Sequence, residues 1–254
     1  MTTKTIAVLS GILLSAIPIV AQQPQPKSAK ERDALIKVQT DAQQNNVPQE
    51  LKDIEYVLDN FTDTQFKIQL LNMATDAANR EGNYVQTVIW GDRTLAADPN
   101  DIPVLVTLAQ AIVAHTREND LDKDQSLKKV TTDANKALDL CKTTTTPPAG
   151  IPPDQWPDFK KDFMAESHEA LAQAAELNKN YAEAIDDYKT AAAEASKPDP
   201  ATYARLSKAY NENKQYDDAI ATADKALAMP EASAPVKQFA QQQKDLATKL
   251  KTTK

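Results

Sequence analysis

The sequence predicts an all-α protein: a right-handed solenoid of helical hairpins, closed by a C-terminal capping helix. Three observations carry this expectation. The 254 residues include only 4 glycines, and the dominant residues (alanine, glutamine, lysine, aspartate and leucine) favour helix over strand. Apolar side chains recur at i, i+3, i+4 and i+7 in short blocks between polar turns, with almost no strand-type alternation. The blocks also repeat. Asn180-Tyr181-Ala182-Glu183-Ala184-Ile185 returns 35 residues later as Gln215-Tyr216-Asp217-Asp218-Ala219-Ile220. One such hairpin cannot bury its own apolar face, so neighbouring copies must cover it.

The clearest unit lies between Pro200 and Pro230. Tyr203, Leu206, Ser207 and Tyr210 mark the first helical face. A polar turn, Asn211–Gln215, follows, and then Tyr216, Ala219, Ile220, Ala223, Ala226 and Leu227 mark the second face. Ser207 and Ala219 fall where the two helices cross, and only small side chains let the backbones approach closely there. These residues resemble a tetratricopeptide repeat, a helix–turn–helix unit of about 34 residues. The resemblance covers Thr64–Leu227. It implies a non-catalytic binding scaffold in which the first helix of each pair lines a concave wall.

The chain begins with a stretch unlike the rest. Residues 1–21 carry one cationic residue, Lys4, then the apolar run Ile6–Val20, and Ile19-Val20-Ala21 suits cleavage before Gln22. This is the plan of a secretory signal peptide. The run is short for a spanning helix, which needs about 20 residues, although an uncleaved anchor is the alternative. No cysteine ends the leader, which excludes a bacterial lipoprotein anchor. The expected location is therefore periplasmic or secreted in a bacterium, with no stable membrane insertion once the leader is gone. Residues 22–27 (QQPQPK) read as a flexible tether.

A degenerate first hairpin is expected over 28–61. Ala34, Leu35, Val38 and Ala42 share one face, Asn45-Asn46 breaks it, and Pro48 suits the first turn of the next helix. The joint Phe61-Thr62-Asp63-Thr64-Gln65-Phe66 resembles the F-P-D-S-x-F joints of envelope-associated repeat proteins, with Thr62 in place of proline. Two repeat units are expected over 64–140. In the first, Leu71, Ala74, Thr75 and Ala78 precede the turn Glu81–Tyr84, where Gly82 supplies a helix C-cap, and Trp90 is a core filler. Thr75, Thr87 and Gly91 stand where the repeat prefers other residues, so looser packing is expected. In the second, Leu105, Leu108, Ala109 and Ile112 are followed by a turn, His115–Asp124, about nine residues longer than usual. Its acidic residues do not follow the calcium-loop pattern. Leu127, Val130, Ala134, Ala137 and Leu138 form the next face.

Residues 141–157 hold five prolines, four consecutive threonines and a glycine, and are expected to be a non-helical insertion loop pinned by Ile151 and Trp156. Two further repeats follow over 158–230. His168, Leu171, Ala172 and Ala175 begin the first of them, and His168 is read as a packing residue. Residues 231–254 supply a capping helix, apolar on one side and rich in Lys and Gln on the other, followed by a tail.

No enzyme signature emerges. Nucleophile-elbow and phosphate-loop patterns are missing, and the histidines His115 and His168 lack metal-ligand spacing. No metal or cofactor is expected. Cys141, the single cysteine, allows no internal disulfide and reads as a small apolar residue. The net charge of −7 becomes −8 if Lys4 leaves with the leader, and with no basic stripe this argues against nucleic acid. The expected partner is a protein or peptide. The residues expected to face it are Asn72, Asp76 and Asn79, then Val106, Gln110 and Val113, then Glu169, Gln173 and Glu176, and last Lys208 and Asn211. Paired Lys and Asn for a carboxylate clamp are missing. A self-associating envelope assembly factor, using the convex face or the loops, is the alternative reading.

Overall fold

The computed structural model describes residues 24–148 and 150–253. The leader 1–21 and the first two residues of the tether lie outside the described residues. Eleven helices are found among the described residues, with no strand: α1 (Ala29–Gln43), α2 (Val47–Asn60), α3 (Lys67–Arg80), α4 (Tyr84–Ala97), α5 (Ile102–His115), α6 (Lys123–Thr143), α7 (Trp156–Leu177), α8 (Tyr181–Glu194), α9 (Pro200–Glu212), α10 (Tyr216–Ala228) and α11 (Ala234–Thr252). Each odd–even couple packs as a hairpin. The even helix of each then packs on the first helix of the next couple, and α11 closes the stack on α9 and α10.

Four of the five hairpins turn in the same way. Asn45, Gly82, Lys179 and Lys214 adopt positive φ (53°, 72°, 58° and 61°). In each turn the next residue donates its N–H to a carbonyl five residues back: Asn46 to Asp41, Asn83 to Ala78, Asn180 to Ala175 and Gln215 to Tyr210. This is the Schellman closure of a helix C-terminus. Gly82 adopts this geometry without steric cost. The two lysines cannot, because their Cβ crowds the following carbonyl. The α5–α6 turn is longer. Its Asp120 accepts the Arg117 N–H, while His115 stacks on Tyr84 with ring centroids 4.1 Å apart. Lys179 pairs with Glu118 across to this turn.

The packing expected to be loose is tight. Gly91 is buried because Leu108 of α5 occupies the space a side chain would need; a Cβ built there would lie 2.6 Å from Leu108 Cδ2. Thr75 and Thr94 meet across α3–α4 with their hydroxyls 3.2 Å apart. At the α9–α10 crossing, Ser207 Oγ donates to the Ala219 carbonyl at 2.8 Å. Trp90 is buried among the residues that join α1–α2 to α3–α4, with the Arg93 guanidinium 4.1 Å from its ring centre.

Two segments differ from expectation. Helix α6 runs through Thr143 and α7 starts at Trp156, so the irregular stretch is 144–155 rather than 141–157. Thr143 Oγ1 bonds the Asp139 carbonyl inside the helix, and Cys141 is buried on its apolar stripe. Pro157 sits in the first turn of α7, where its missing N–H needs no partner. Ile151 and Trp156 dock against Ile102, Leu105, Val106 and Phe163. The described end of the tether is fastened rather than loose. Lys27 Nζ bonds both the carboxylate and the carbonyl of Asp63, and the Gln25 N–H reaches Gln65 Oε1.

Candidate functional site: the inner wall

Odd-numbered helices pack directly on one another at α3–α5, α5–α7 and α9–α11, while no comparable contact joins successive even-numbered helices. Where odd helices sit closer together than even ones the stack bends with the odd helices on the inside, and α7 and α9 are joined through side chains instead. The wall is therefore made by α3, α5, α7 and α9, the helices from which the groove residues were chosen.

Most of those residues are already engaged within the protein. Val106 and Val113 are 2% and 3% exposed, which removes them from any binding surface. Val113 packs with Ala170 and Ala174 of α7, and Val106 packs with Trp156 and Phe163. They form the seam between neighbouring odd helices. Asn211 is corrected for the same reason: it is buried, and its Nδ2 donates to the Gln243 carbonyl (2.9 Å) and to Gln243 Oε1 (3.1 Å) on α11.

The polar members lace successive odd helices together. Asn72 Nδ2 donates to Asp101 Oδ2 at 2.7 Å, and Asp101 itself caps α5 by accepting the Val104 N–H. Glu169 of α7 receives Thr202 Oγ1 and, at 3.0 Å, Arg205 of α9. One step deeper along the same pair of helices, Glu176 receives Lys208 Nζ at 3.1 Å. Burial pushes both glutamates above the usual carboxylate range, and their cationic partners only partly oppose this. Burial likewise pushes Asp76 and Asp101 up, against Arg80 and Asn72 respectively. Beneath this lattice, Tyr188 of α8 is fully buried, and its phenol is held far above its ordinary range by burial and then by the charge of Glu176.

Arg205 and Thr202 were missed at the sequence level. Their signal was an arginine one turn after a threonine, lying off the buried stripe opposite an unpaired glutamate in the preceding repeat. What the lattice leaves uncommitted is short. Asn79 and Gln110 are half-buried and their side-chain amides make no hydrogen bond within the described residues, and the Gln173 amide bonds only its own helix, at the Glu169 carbonyl.

Little else in the described residues suggests chemistry. His168 lies between two carboxylates, with Nδ1 at 2.8 Å from Asp187 Oδ1 and Nε2 at 3.8 Å from Glu194 Oε2. No group of three or more His, Cys, Asp or Glu among them is placed to hold a metal ion. Burial pushes the Cys141 thiol up to about 11. An open depression on α6 is lined by Thr131, Thr132, Asn135, Lys136 and Asp139 and lies off the wall. No helix among the described residues is long and apolar enough to cross a membrane.

Solved structures share this architecture. The thermophilic TPR protein TTC0263 of Thermus thermophilus superposes with a TM-score of 0.55 at 16% identity, over 84% of this chain and 98% of that one. A MamA protein gives 0.47 at 17% identity, over 72% and 87% of the two chains. A tetratricopeptide repeat protein of Parabacteroides merdae gives 0.45 at 14% identity, over 87% and 90%. No family model and no curated protein matches the chain. The likeness to TTC0263, which spans nearly all of that protein, establishes the tetratricopeptide-type helical-hairpin solenoid as the fold.

Proposed function

We propose that this chain, with its tetratricopeptide-type fold, is a non-catalytic scaffold of the bacterial cell envelope that holds a polypeptide segment against its inner wall. The observation that carries the reading is the state of Asn79 and Gln110. They are wall amides that the internal lattice leaves unused, while Asp101, Glu169, Arg205, Glu176 and Lys208 along the same row of helices are engaged within the protein. A side-chain amide offers two donors and an acceptor, which matches the repeating N–H and C=O of an extended backbone. A wall whose charges are already paired favours backbone recognition over charge recognition. Export follows from the leader, and the acidic balance of the chain disfavours nucleic acid.

The test is site-specific photocrosslinking in the native host. A photoreactive residue in place of Gln110 or Gln173 is expected to yield discrete polypeptide adducts, whereas one in place of Val85 on α4 yields none. Adducts only from position 85 would defeat the groove reading. They would favour the alternative of self-association through the convex face, where Val85 and Ile89 are 61% and 45% exposed one turn apart. Light scattering at rising concentration would then show a growing mass.

A further inference from the structure

The end hairpin α1–α2 contains an acid buried without adequate pairing. Glu50, in the first turn of α2, is 1% exposed, and its Oε2 makes no hydrogen bond. The nearest cation is Arg80 at the C-terminus of α3, with Nη2 at 3.5 Å. Arg80 is already taken up elsewhere: its Nε holds Asp76 at 3.0 Å and its Nη1 holds Asn45 Oδ1, in the α1–α2 turn, at 2.8 Å. Arg80 thus joins three places (the α1–α2 turn, α2 and α3), but its two hydrogen bonds go to Asn45 and Asp76. The other charged groups acting on Glu50 are Asp76 of α3 and Asp41 of α1, and Asp41 is itself paired with Asp53 of α2. Two carboxylates, Glu50 and Asp76, therefore share one guanidinium, and a third, Asp41, adds its charge against Glu50 with no help from Arg80.

We infer that α1–α2 is a pH-gated cap, which Glu50 holds on α3 when its carboxyl is protonated and loosens as that carboxyl ionises. An ionised carboxylate at this position is buried beside two others, and its Oε2 has no hydrogen-bond donor to receive it. Water reaches it most easily if the hairpin lifts. At one end of the described stack, α1–α2 packs on the α3–α4 hairpin, mainly on α3 and also against Trp90 and through the Glu55–Arg93 pair of α4, so its release breaks one interface and leaves the remaining stack intact. Burial, ahead of the opposing Arg80, sets the direction: Glu50 is raised from 4.5 to about 7. The closed form then binds the proton more tightly than the open form. The stabilisation is full below pH 4.5 and is lost as pH rises through about 7. Between pH 6 and pH 8 this one group raises the opening constant about tenfold.

Hydrogen exchange on the full-length protein, with each amide corrected for its intrinsic rate, tests this. Protection in α1 and α2 should fall about tenfold from pH 6 to pH 8 relative to α5–α8, and Glu50→Gln should abolish the fall. Asp76→Asn, which removes a charge that pushes Glu50 up and frees Arg80 to serve it, should move the midpoint to lower pH. The inference is overturned by equal protection at the two pH values, by the same fall in Glu50→Gln, by a fall shared with α5–α8, or by an unmoved midpoint in Asp76→Asn.

Discussion

Gly91→Ala sets two principles against each other at one atom. In an isolated helix the change is favourable by about 1 kcal/mol, because alanine is the better helix former. In this protein the added methyl would lie 2.6, 2.8 and 3.0 Å from Leu108 Cδ2, Cγ and Cδ1. Real Cβ atoms do not approach carbon that closely, so Leu108 must move, and it is fully buried. Its neighbours include Val104, Ala109, Ile112 and Leu127, all packed in the same cluster. Overpacking of this kind costs about 1–3 kcal/mol, which leaves a net destabilisation of roughly 1 kcal/mol after the helix term is subtracted. Leu108→Ala alone should cost about 3 kcal/mol, the usual range for emptying a buried leucine site. In the double variant the clash disappears and the new methyl partly fills the hole. The two costs should therefore fall short of additivity by about 2 kcal/mol. Urea unfolding followed by circular dichroism gives the four free energies of the cycle, and a common m-value shows that one transition is being compared. A stabilised Gly91→Ala, or a cycle that closes additively, would mean that Leu108 does not occupy the place of the missing side chain.

Three other outcomes follow from the same geometry. Lys214→Gly should stabilise the protein by about 0.5–1 kcal/mol, the difference between relieving a lysine at positive φ and the extra chain entropy of glycine; chemical denaturation reads it directly. Cys141 should resist iodoacetamide at pH 8 in the folded protein. Burial that lifts its thiol from 9.0 to about 11 cuts the thiolate fraction by roughly a hundredfold even before access is counted, and mass spectrometry with and without denaturant measures the ratio. Asn211→Ala should cost about 1–2 kcal/mol by removing the two buried side-chain bonds that tie α9 to the Gln243 carbonyl and Oε1, and the lost protection should concentrate in α11, the helix held by that amide.

The fold was readable because its determinants are local. Helical spacing, the Tyr181 and Tyr216 registers and the glycine at position 82 each act within a few residues of where they stand. The turns at Lys179 and Lys214 were harder to read, because lysine gives no hint of positive φ; the following hydrogen bonds and the packing of each hairpin impose it. The packing at Gly91 was misjudged for a different reason. A repeat's residue preferences say which side chain usually fills a site, but Leu108 reaches in from the next repeat to fill this one, and that partner is 17 positions away in sequence.

The inner wall was the least legible part, and α5 shows why. The choice of Val106 and Val113 assumed two faces for each odd helix, one against its partner and one open. Helix α5 reads IPVLVTLAQAIVAH, apolar almost all round, and such a helix is buried on nearly every side. It has a third face, against α7, where alanines 170 and 174 receive Val113. The same composition identifies what the helix can offer a ligand. Its only side chains able to form hydrogen bonds are Thr107, Gln110 and His115. His115 is stacked on Tyr84, with Nδ1 at its own helix carbonyl, and Thr107 carries a single short hydroxyl. Gln110 is half-buried and its amide has no hydrogen-bond partner among the described residues, so it is the side chain by which α5 would engage the polypeptide proposed for this wall.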